Sequence, residues 1–313
     1  MSLYWDDFER RIIETTQAIK NGVEPLVRRV AVFITNKCNF RCKYCRVDFG
    51  SKEMSKDVFN SIVKKYRNTA IIHITGGEPS VVKWLYDYLD HQEGRFHLNT
   101  NAYIKPPRNV QRLKISLDSP NEKYINQLVG VSDAFGKIVK NIKVACEYTI
   151  TSITCVLSKQ NYMEIPRMVE FCNKEFPKLY ALFFSVYKGT NPEFLMDKND
   201  VDRFFGEIIP AIKPKLNQES LWLLNETIDE KFRVLQGKRF PENKPFIKCY
   251  LSLSERVFDF DGKEYRCSHL FRDKVFSNNS LKTKECGYGC NRKLVKFNQE
   301  VEKLLGVEYA SNL

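Results

Sequence analysis

VAVFITNKCNFRCKYC, Val30 to Cys45, carries six β-type residues (Val30 to Thr35) straight into a loop bearing Cys38, Cys42 and Cys45. An apolar run this short, rich in β-branched and aromatic residues, reads as a buried strand. Three residues separate the first two cysteines and two separate the last pair. Three thiolates at this pitch hold three irons of a cubic 4Fe–4S cluster and leave the fourth iron without a protein ligand. A zinc site closes a tetrahedron with four ligands, often supplied as close pairs, and the triad offers no second pair.

Outward from this stretch, apolar β-type runs alternate with helical patterns from about Arg29 to Tyr187, the rhythm of a parallel α/β sheet. The remaining strand candidates are Ile71 to Thr75, Phe96 to Thr100, Leu113 to Leu117, Ser152 to Leu157 and Ala181 to Tyr187. Between them, Val81, Leu85, Tyr88 and Leu89 make one helical stripe; Ile138, Ile142, Ala145 and Cys146 make another, and Ile165, Val169 and Cys172 a third. Cys146 and Cys172 therefore read as core residues. Asn199 to Ile212 reads as a sixth helix interrupted near Pro210, and Gln236 to Lys248, with Gly237, Pro241 and Pro245, as a long loop. Periodicity alone leaves a doubly wound sheet and a barrel both open.

Three strand ends carry polar groups. Ile72-His-Ile-Thr-Gly-Gly-Glu-Pro79 closes a strand with two glycines, which permit close backbone approach, and with Pro79, which biases Glu78 away from helical geometry. Asn99-Thr100-Asn101 and Ser116-Leu117-Asp118 end two further strands. With the cysteine triad one β/α unit upstream, the pattern resembles the radical S-adenosylmethionine (SAM) superfamily. The resemblance implies a partial six-unit β/α barrel, a cluster on Cys38, Cys42 and Cys45, and SAM chelated to the open iron. It further implies that Gly76, Gly77 and Glu78 serve the SAM amino group, that Ser116, Thr100, Asn101 and Asp118 serve its carboxylate and ribose, and that Tyr44 and Val156 lie near adenine. A one-electron donor such as ferredoxin or flavodoxin follows from the same likeness, as does cleavage of SAM to methionine and a 5′-deoxyadenosyl radical that abstracts hydrogen from a substrate.

A second set, Cys249, Cys267, Cys286 and Cys290, lies downstream. Asp261-Gly262 supplies a turn inside the hairpin-like stretch Val257 to Tyr265. This pattern resembles the opening of the SPASM and shorter twitch auxiliary-cluster domains. No cysteine follows Cys290, so one auxiliary 4Fe–4S cluster is the economical expectation, in a twitch-like C-terminal iron–sulfur domain closed by the helix around Phe297, Val301, Leu304 and Leu305. Four cysteines also suit a structural zinc ion. The expected division is a helical extension at 1–29, the barrel at 30–213 and the auxiliary-cluster domain at 214–313.

Composition bounds the rest. The chain has 313 residues, 43% of them hydrophobic, with ten cysteines and a formal net charge of +12. No apolar stretch approaches the ~20 residues of a membrane span, and the N-terminus MSLYWDDFERRIIETT is charged where a secretory signal is apolar. A cytoplasmic location is the expectation, because that compartment keeps thiols reduced. The basic residues are dispersed, which favours a solvated surface over a nucleic-acid groove. Cys155, late in the fifth strand, is a candidate hydrogen-atom donor if it faces the barrel, and a small core residue otherwise. His73, His97, His91 and His269 have no partner spacing that assigns them a metal. The expected substrate is a peptide or natural product, giving an oxidised or crosslinked product. A small-molecule (carbohydrate-type) radical dehydrogenase or rearrangement enzyme is the first alternative, and a non-catalytic iron–sulfur or zinc scaffold on nucleic acid the second.

Overall fold

Six strands follow the chain in order: β1 (Arg29–Phe33), β2 (Ile71–Thr75), β3 (Phe96–Thr100), β4 (Arg112–Ser116), β5 (Ile150–Leu157) and β6 (Ala181–Val186). They belong to a computed structural model that describes residues 3–45, 47, 49–187, 189–235, 248–266 and 292–307. All six are parallel, and each lies beside its predecessor in the order β6-β5-β4-β3-β2-β1. A doubly wound sheet reverses strand order at a switch point; this one does not, and it matches a partial β/α barrel.

Strands β1 to β4 alternate strictly, while β5 and β6 each carry consecutive buried residues near their start. Val30, Val32, Ile72, Ile74, Leu98, Leu113, Ile115, Ile153 and Leu157 are fully buried in the core beneath the helices. Residues of opposite parity, among them Ala31, His73, His97, Asn99, Lys114 and Thr154, are only partly buried on the other face. Helices α2 (Lys56–Tyr66), α3 (Leu85–His91), α4 (Glu122–Val129), α5 (Ala134–Ala145) and α6 (Ile165–Glu175) cover the apolar face. In α2, Phe59, Ile62, Val63 and Tyr66 are one buried stripe, and Ser55 caps the start by accepting from Val58 N at 3.3 Å. Each such apolar side chain contributes about 1.5–3 kcal/mol on burial.

The expected sixth helix is three pieces: α7 (Lys198–Arg203), a π turn at Phe204–Ile208 and α8 (Ile209–Ile212). Pro210 has no N–H to give the preceding turn, and the wider π register, with Ile209 N reaching Phe204 O, absorbs the missing bond. Phe204 and Ile212 both stay at 0% exposure, so the break does not rotate the apolar face out of the core. Helix α9 (Gln218–Leu235) then packs on β6, where Ser220 Oγ accepts from Leu182 N at 2.8 Å.

The hairpin near Gly262 forms β7 (Glu255–Phe258) and β8 (Glu264–Tyr265), turning at Gly262 with φ +78°. It does not stand apart from the barrel. Strand β7 pairs parallel with β1, from Arg29↔Glu255 to Val32↔Phe258, and extends the same sheet to eight strands. Preceding it, the one-turn α10 (Leu251–Ser254) joins α1 (Leu3–Lys20) and α11 (Arg292–Leu304) in a second small core of Phe8, Ile12, Tyr250, Leu251, Phe297 and Val301. Among the described residues no helix is long and apolar enough to cross a membrane.

Candidate active site

The thiol loop leaves the C-terminal end of β1 and is fastened on three sides. Gly77 N donates to Thr35 O (2.7 Å) and Glu78 N to Lys37 O (2.8 Å), which ties it to the end of β2. Arg41 N and Lys43 N donate to Val129 O and Leu128 O, at the end of α4. On the far side, Thr35 bridges Glu53, and Lys52 N donates to Asn36 Oδ1 at 2.8 Å. The two glycines make the first attachment possible. A Cβ on Gly77 would overlap Lys37 O, and one on Gly76 would overlap Thr35 O; Gly76 also sits at φ +151°. Sequence reasoning assigned their freedom to a ligand, whereas they make room for the root of the thiol loop.

Cys38, Cys42 and Cys45 are all partly buried and close enough to act electrostatically on one another. Burial pushes the Cys38 thiol up to about 11, with Glu78 and Cys45 raising it further, and pushes Cys42 higher still. Two backbone N–H groups point at sulfur: Phe40 N at Cys38 Sγ (3.4 Å) and Val47 N at Cys45 Sγ (3.5 Å). Such donors stabilise thiolates, and the set fits a cluster that brings its own positive charge. Among the described residues no three Cys, His, Asp or Glu side chains converge on a single-ion site. Thiolates on a cubane each bind a different iron and need a wider spacing.

The strand-end residues divide into two groups. Glu78 is 1% exposed, its carboxyl pushed up by burial; it accepts from Thr100 Oγ1 (2.6 Å), Asn101 N (2.6 Å) and Ser80 N (3.0 Å). Its side chain therefore ties β2 to the end of β3. Thr100 is buried in the same knot and also meets Tyr86 Oη at 3.2 Å. Asn101 turns toward the thiol loop, where its Nδ2 donates to Asn39 Oδ1 at 2.8 Å. Asp118 does not project into the mouth: it is 4% exposed, and its carboxylate accepts from Tyr44 Oη and from Val156 N (2.7 Å). Burial pushes this carboxyl up to about 6, against the lowering effect of those two donors. The Tyr44 ring packs edge-on to Tyr187 and Phe194 at 6.4 and 5.8 Å. Ser116 is exposed at the tip of β4, and Val156 is partly buried on the concave face.

Cys155 is a correction. Strand parity places it on the helix side, fully buried, with Sγ against Asp118 O at 3.4 Å, so it is a core residue and not a donor in the barrel. Cys172 is buried in the same core and Cys146 packs against it. Cys249 packs on the cluster of α1, α10 and α11. Cys267, Cys286, Cys290 and His269 lie outside the described residues, as do 236–247 of the expected loop.

Two residues that sequence reasoning passed over belong to the site. Asn161 Nδ2 donates to Asp118 O and Val156 O, both at 2.9 Å, and so fixes the ends of β4 and β5; nothing in its local sequence signals this. Lys114 sits on the concave face between buried Leu113 and Ile115. Its signal was available, because polar–apolar alternation in a parallel strand marks a face not covered by helices.

Residues 32–172 match the family model described as the Radical SAM superfamily. A GTP 3′,8-cyclase from Sulfurovum sp. is 30% identical over 165 residues, 45% of this chain and 50% of that protein. A probable GTP 3′,8-cyclase from Methanocaldococcus jannaschii is 22% identical over 275 residues, 82% of this chain and 84% of that one. The chain thus spans about half the length of the Sulfurovum relative. Among solved structures, Streptococcus suis SuiB bound to precursor peptide SuiA superposes with TM-score 0.59 at 16% identity, covering 95% of this chain and 69% of SuiB. At that identity the likeness shows the fold alone. The curated relatives overturn the expected peptide or natural-product substrate, since they are named for action on GTP. The scaffold reading loses its ground with it, because residues 32–172 match a radical SAM domain. That family implies a 4Fe–4S cluster, SAM and an electron donor.

Proposed function

We propose that this radical SAM enzyme acts on a small phosphorylated nucleotide, with GTP as the candidate substrate. The observation that carries the reading is the docking of the Cys38/Cys42/Cys45 loop against the Gly76-Gly77 strand end, at the mouth of a barrel whose relatives are named GTP 3′,8-cyclase. The likeness to the Methanocaldococcus jannaschii relative extends past the barrel, over 82% of this chain.

Cys38, Cys42 and Cys45 would hold the cluster, which when bound would supply the electron for reductive cleavage of SAM. The chain's own residues hold the reactants in place and keep water out. Ser116 and Val156 line the mouth where the nucleoside of SAM would lie, and the backbone of Gly76 and Gly77 borders its methionine. Glu78 acts at one remove: by holding Thr100 and Asn101 it fixes Asn101 against Asn39 in the thiol loop. Cys249, with Cys267, Cys286 and Cys290, would hold an auxiliary 4Fe–4S cluster, in a segment joined to the barrel sheet through β7. A ferredoxin or flavodoxin in a reducing cytoplasm is the fitting electron donor.

The test is anaerobic reconstitution followed by turnover. About eight irons per chain are expected, falling to about four when Cys38, Cys42 and Cys45 are all changed to Ala, with loss of reductive SAM cleavage. Adding GTP to the wild type should raise 5′-deoxyadenosine above the uncoupled background. Cluster-loaded protein that cleaves SAM with no response to GTP would overturn the nucleotide reading.

A further inference from the structure

The amides beside the thiol loop form a chain whose polarity is fixed at one end. Beyond β3 the backbone turns back at Ala102, which is fully buried at φ +53°, a left-handed conformation unfavourable for a residue with a Cβ. Two hydrogen bonds hold it there: Ala102 N donates to Thr100 Oγ1 at 3.0 Å, and Asn141 Nδ2 of α5 donates to Ala102 O at 2.8 Å. The turn brings Tyr103 N within 3.0 Å of Asn101 Oδ1. A backbone N–H can only donate, so this end of the Asn101 amide is its oxygen and Nδ2 is turned the other way. There it meets Asn39 Oδ1 at 2.8 Å. The same logic fixes Asn39: its oxygen accepts from Asn101, and its Nδ2 is left as a donor.

That donor lacks an acceptor. Asn39 Nδ2 is buried, and among the described residues it has no hydrogen-bond partner. Buried polar groups without partners are uncommon in native folds, and this one is held in its orientation by a strained turn. The amide sits beside a thiol of the triad, with Oδ1 3.9 Å from Cys38 Sγ, a contact the thiol makes as donor and a thiolate cannot make. Phe40 N and Val47 N already point at the sulfurs of Cys38 and Cys45. A reduced cluster carries one electron more than an oxidised one, spread over its sulfurs. N–H groups aimed at sulfur therefore favour the reduced form and raise the midpoint potential.

We propose that Asn39 Nδ2 donates a hydrogen bond to a sulfur of the cluster held by Cys38, Cys42 and Cys45, and that Asn101 is the positioning residue that keeps the amide turned that way. The role rests on the assignment of the cluster to these thiols and is independent of the substrate. It gives Glu78 a second consequence, because its hold on Asn101 N at 2.6 Å reaches the cluster through two amides. The electron comes from the external one-electron carrier and no atom is transferred; the amide sets how readily the cluster accepts it.

Redox titration followed by electron paramagnetic resonance tests this on anaerobic, cluster-loaded full chain without SAM, reading the signal that disappears when Cys38, Cys42 and Cys45 are all changed to Ala. Asn39→Leu, close to isosteric, should disfavour the reduced form by about tenfold, which for one electron moves the midpoint about 59 mV more negative. Asn101→Asp keeps the acceptor for Tyr103 N but presents oxygen to Asn39, so the Asn39 amide reverses and the midpoint should again fall. In the Asn39→Leu background that second shift should shrink, leaving only the effect of the added charge. Wild type carrying asparagine labelled with nitrogen-15 in the side chain should show a weak nitrogen coupling to the reduced cluster, a reading that needs no variant to fold. An unchanged midpoint in iron-loaded Asn39→Leu, or a labelled wild type without the coupling, would assign the amide to buried water and overturn the role. An unchanged midpoint together with weaker SAM binding in that variant would also overturn it, by giving the amide to SAM. A signal that survives the triple cysteine change would sink the cluster assignment itself, and this role with it.

Discussion

Gly77 shows how little a single residue's identity says without its surroundings. Its neighbours Gly76 and Glu78 form a motif legible in the sequence, yet what the glycine accommodates is the carbonyl of Lys37, on a segment roughly 40 positions earlier. Gly77→Ala must push the thiol loop off the end of β2, at a cost of about 2–4 kcal/mol. Iron content after reconstitution and a denaturant titration should both fall. Gly136 is the control: it lies in α5 with nothing within 4 Å of a built Cβ, so Gly136→Ala should stabilise by about 0.5–1 kcal/mol. Equal effects at the two positions would refute the close-approach account. Cys155 is the complementary case: its identity suggested reactivity, and strand parity turns it into the core. The parity of Leu113 and Ile115, known from the sequence, could have been carried across the β4–β5 register only after that register was seen.

Between elements, Tyr44 acts as a latch. It stands between two of the thiols, and its hydroxyl donates to Asp118, which in turn accepts from Val156 N and so joins the thiol loop to the ends of β4 and β5. Tyr44→Phe leaves the buried Asp118 carboxylate one donor short, a loss of about 1.5–3 kcal/mol for a charge-assisted bond. The variant should keep its three thiols and its cluster absorbance while binding SAM more weakly and unfolding at lower denaturant. Asp118→Asn, which keeps an acceptor for Val156 N, should lie between Tyr44→Phe and wild type. A Tyr44→Phe protein with wild-type stability and SAM affinity would remove the latch from the account. The sequence marked Tyr44 and Asp118 separately as cofactor contacts. Their pairing spans 74 positions and depends on how far β4 and β1 lie apart around the barrel, which no local pattern encodes.

At the scale of the whole molecule, the two ends of the chain meet. Phe8 of α1 packs edge-on to Phe297 of α11 at 5.9 Å, Arg11 reaches Ser254 Oγ (3.2 Å) and Glu255 Oε1 (2.8 Å), and Asn298 Oδ1 accepts from Tyr250 N at 2.6 Å. Phe8→Ala opens a cavity in a core of only a few side chains and should cost about 3–5 kcal/mol. Limited proteolysis should then cut near α11 before the barrel, and retained resistance there would show that the two ends do not depend on one another. Sequence alone determined the six strands to within about two residues at each end, the thiol triad, the glycine pair and the helical stripes, because these rest on local periodicity and on residue types with narrow conformational uses. Tertiary structure decided that β7 continues the sheet beside β1, that α1 and α11 share a core, that Glu78 and Asp118 face protein and not solvent, and that Lys114 of β4 lies beside Ser152 of β5. The physical reason is common to all four. Each is a contact between segments distant in sequence, chosen by where closure of the barrel brings faces together, and a local pattern can say which face is polar without saying what it will meet.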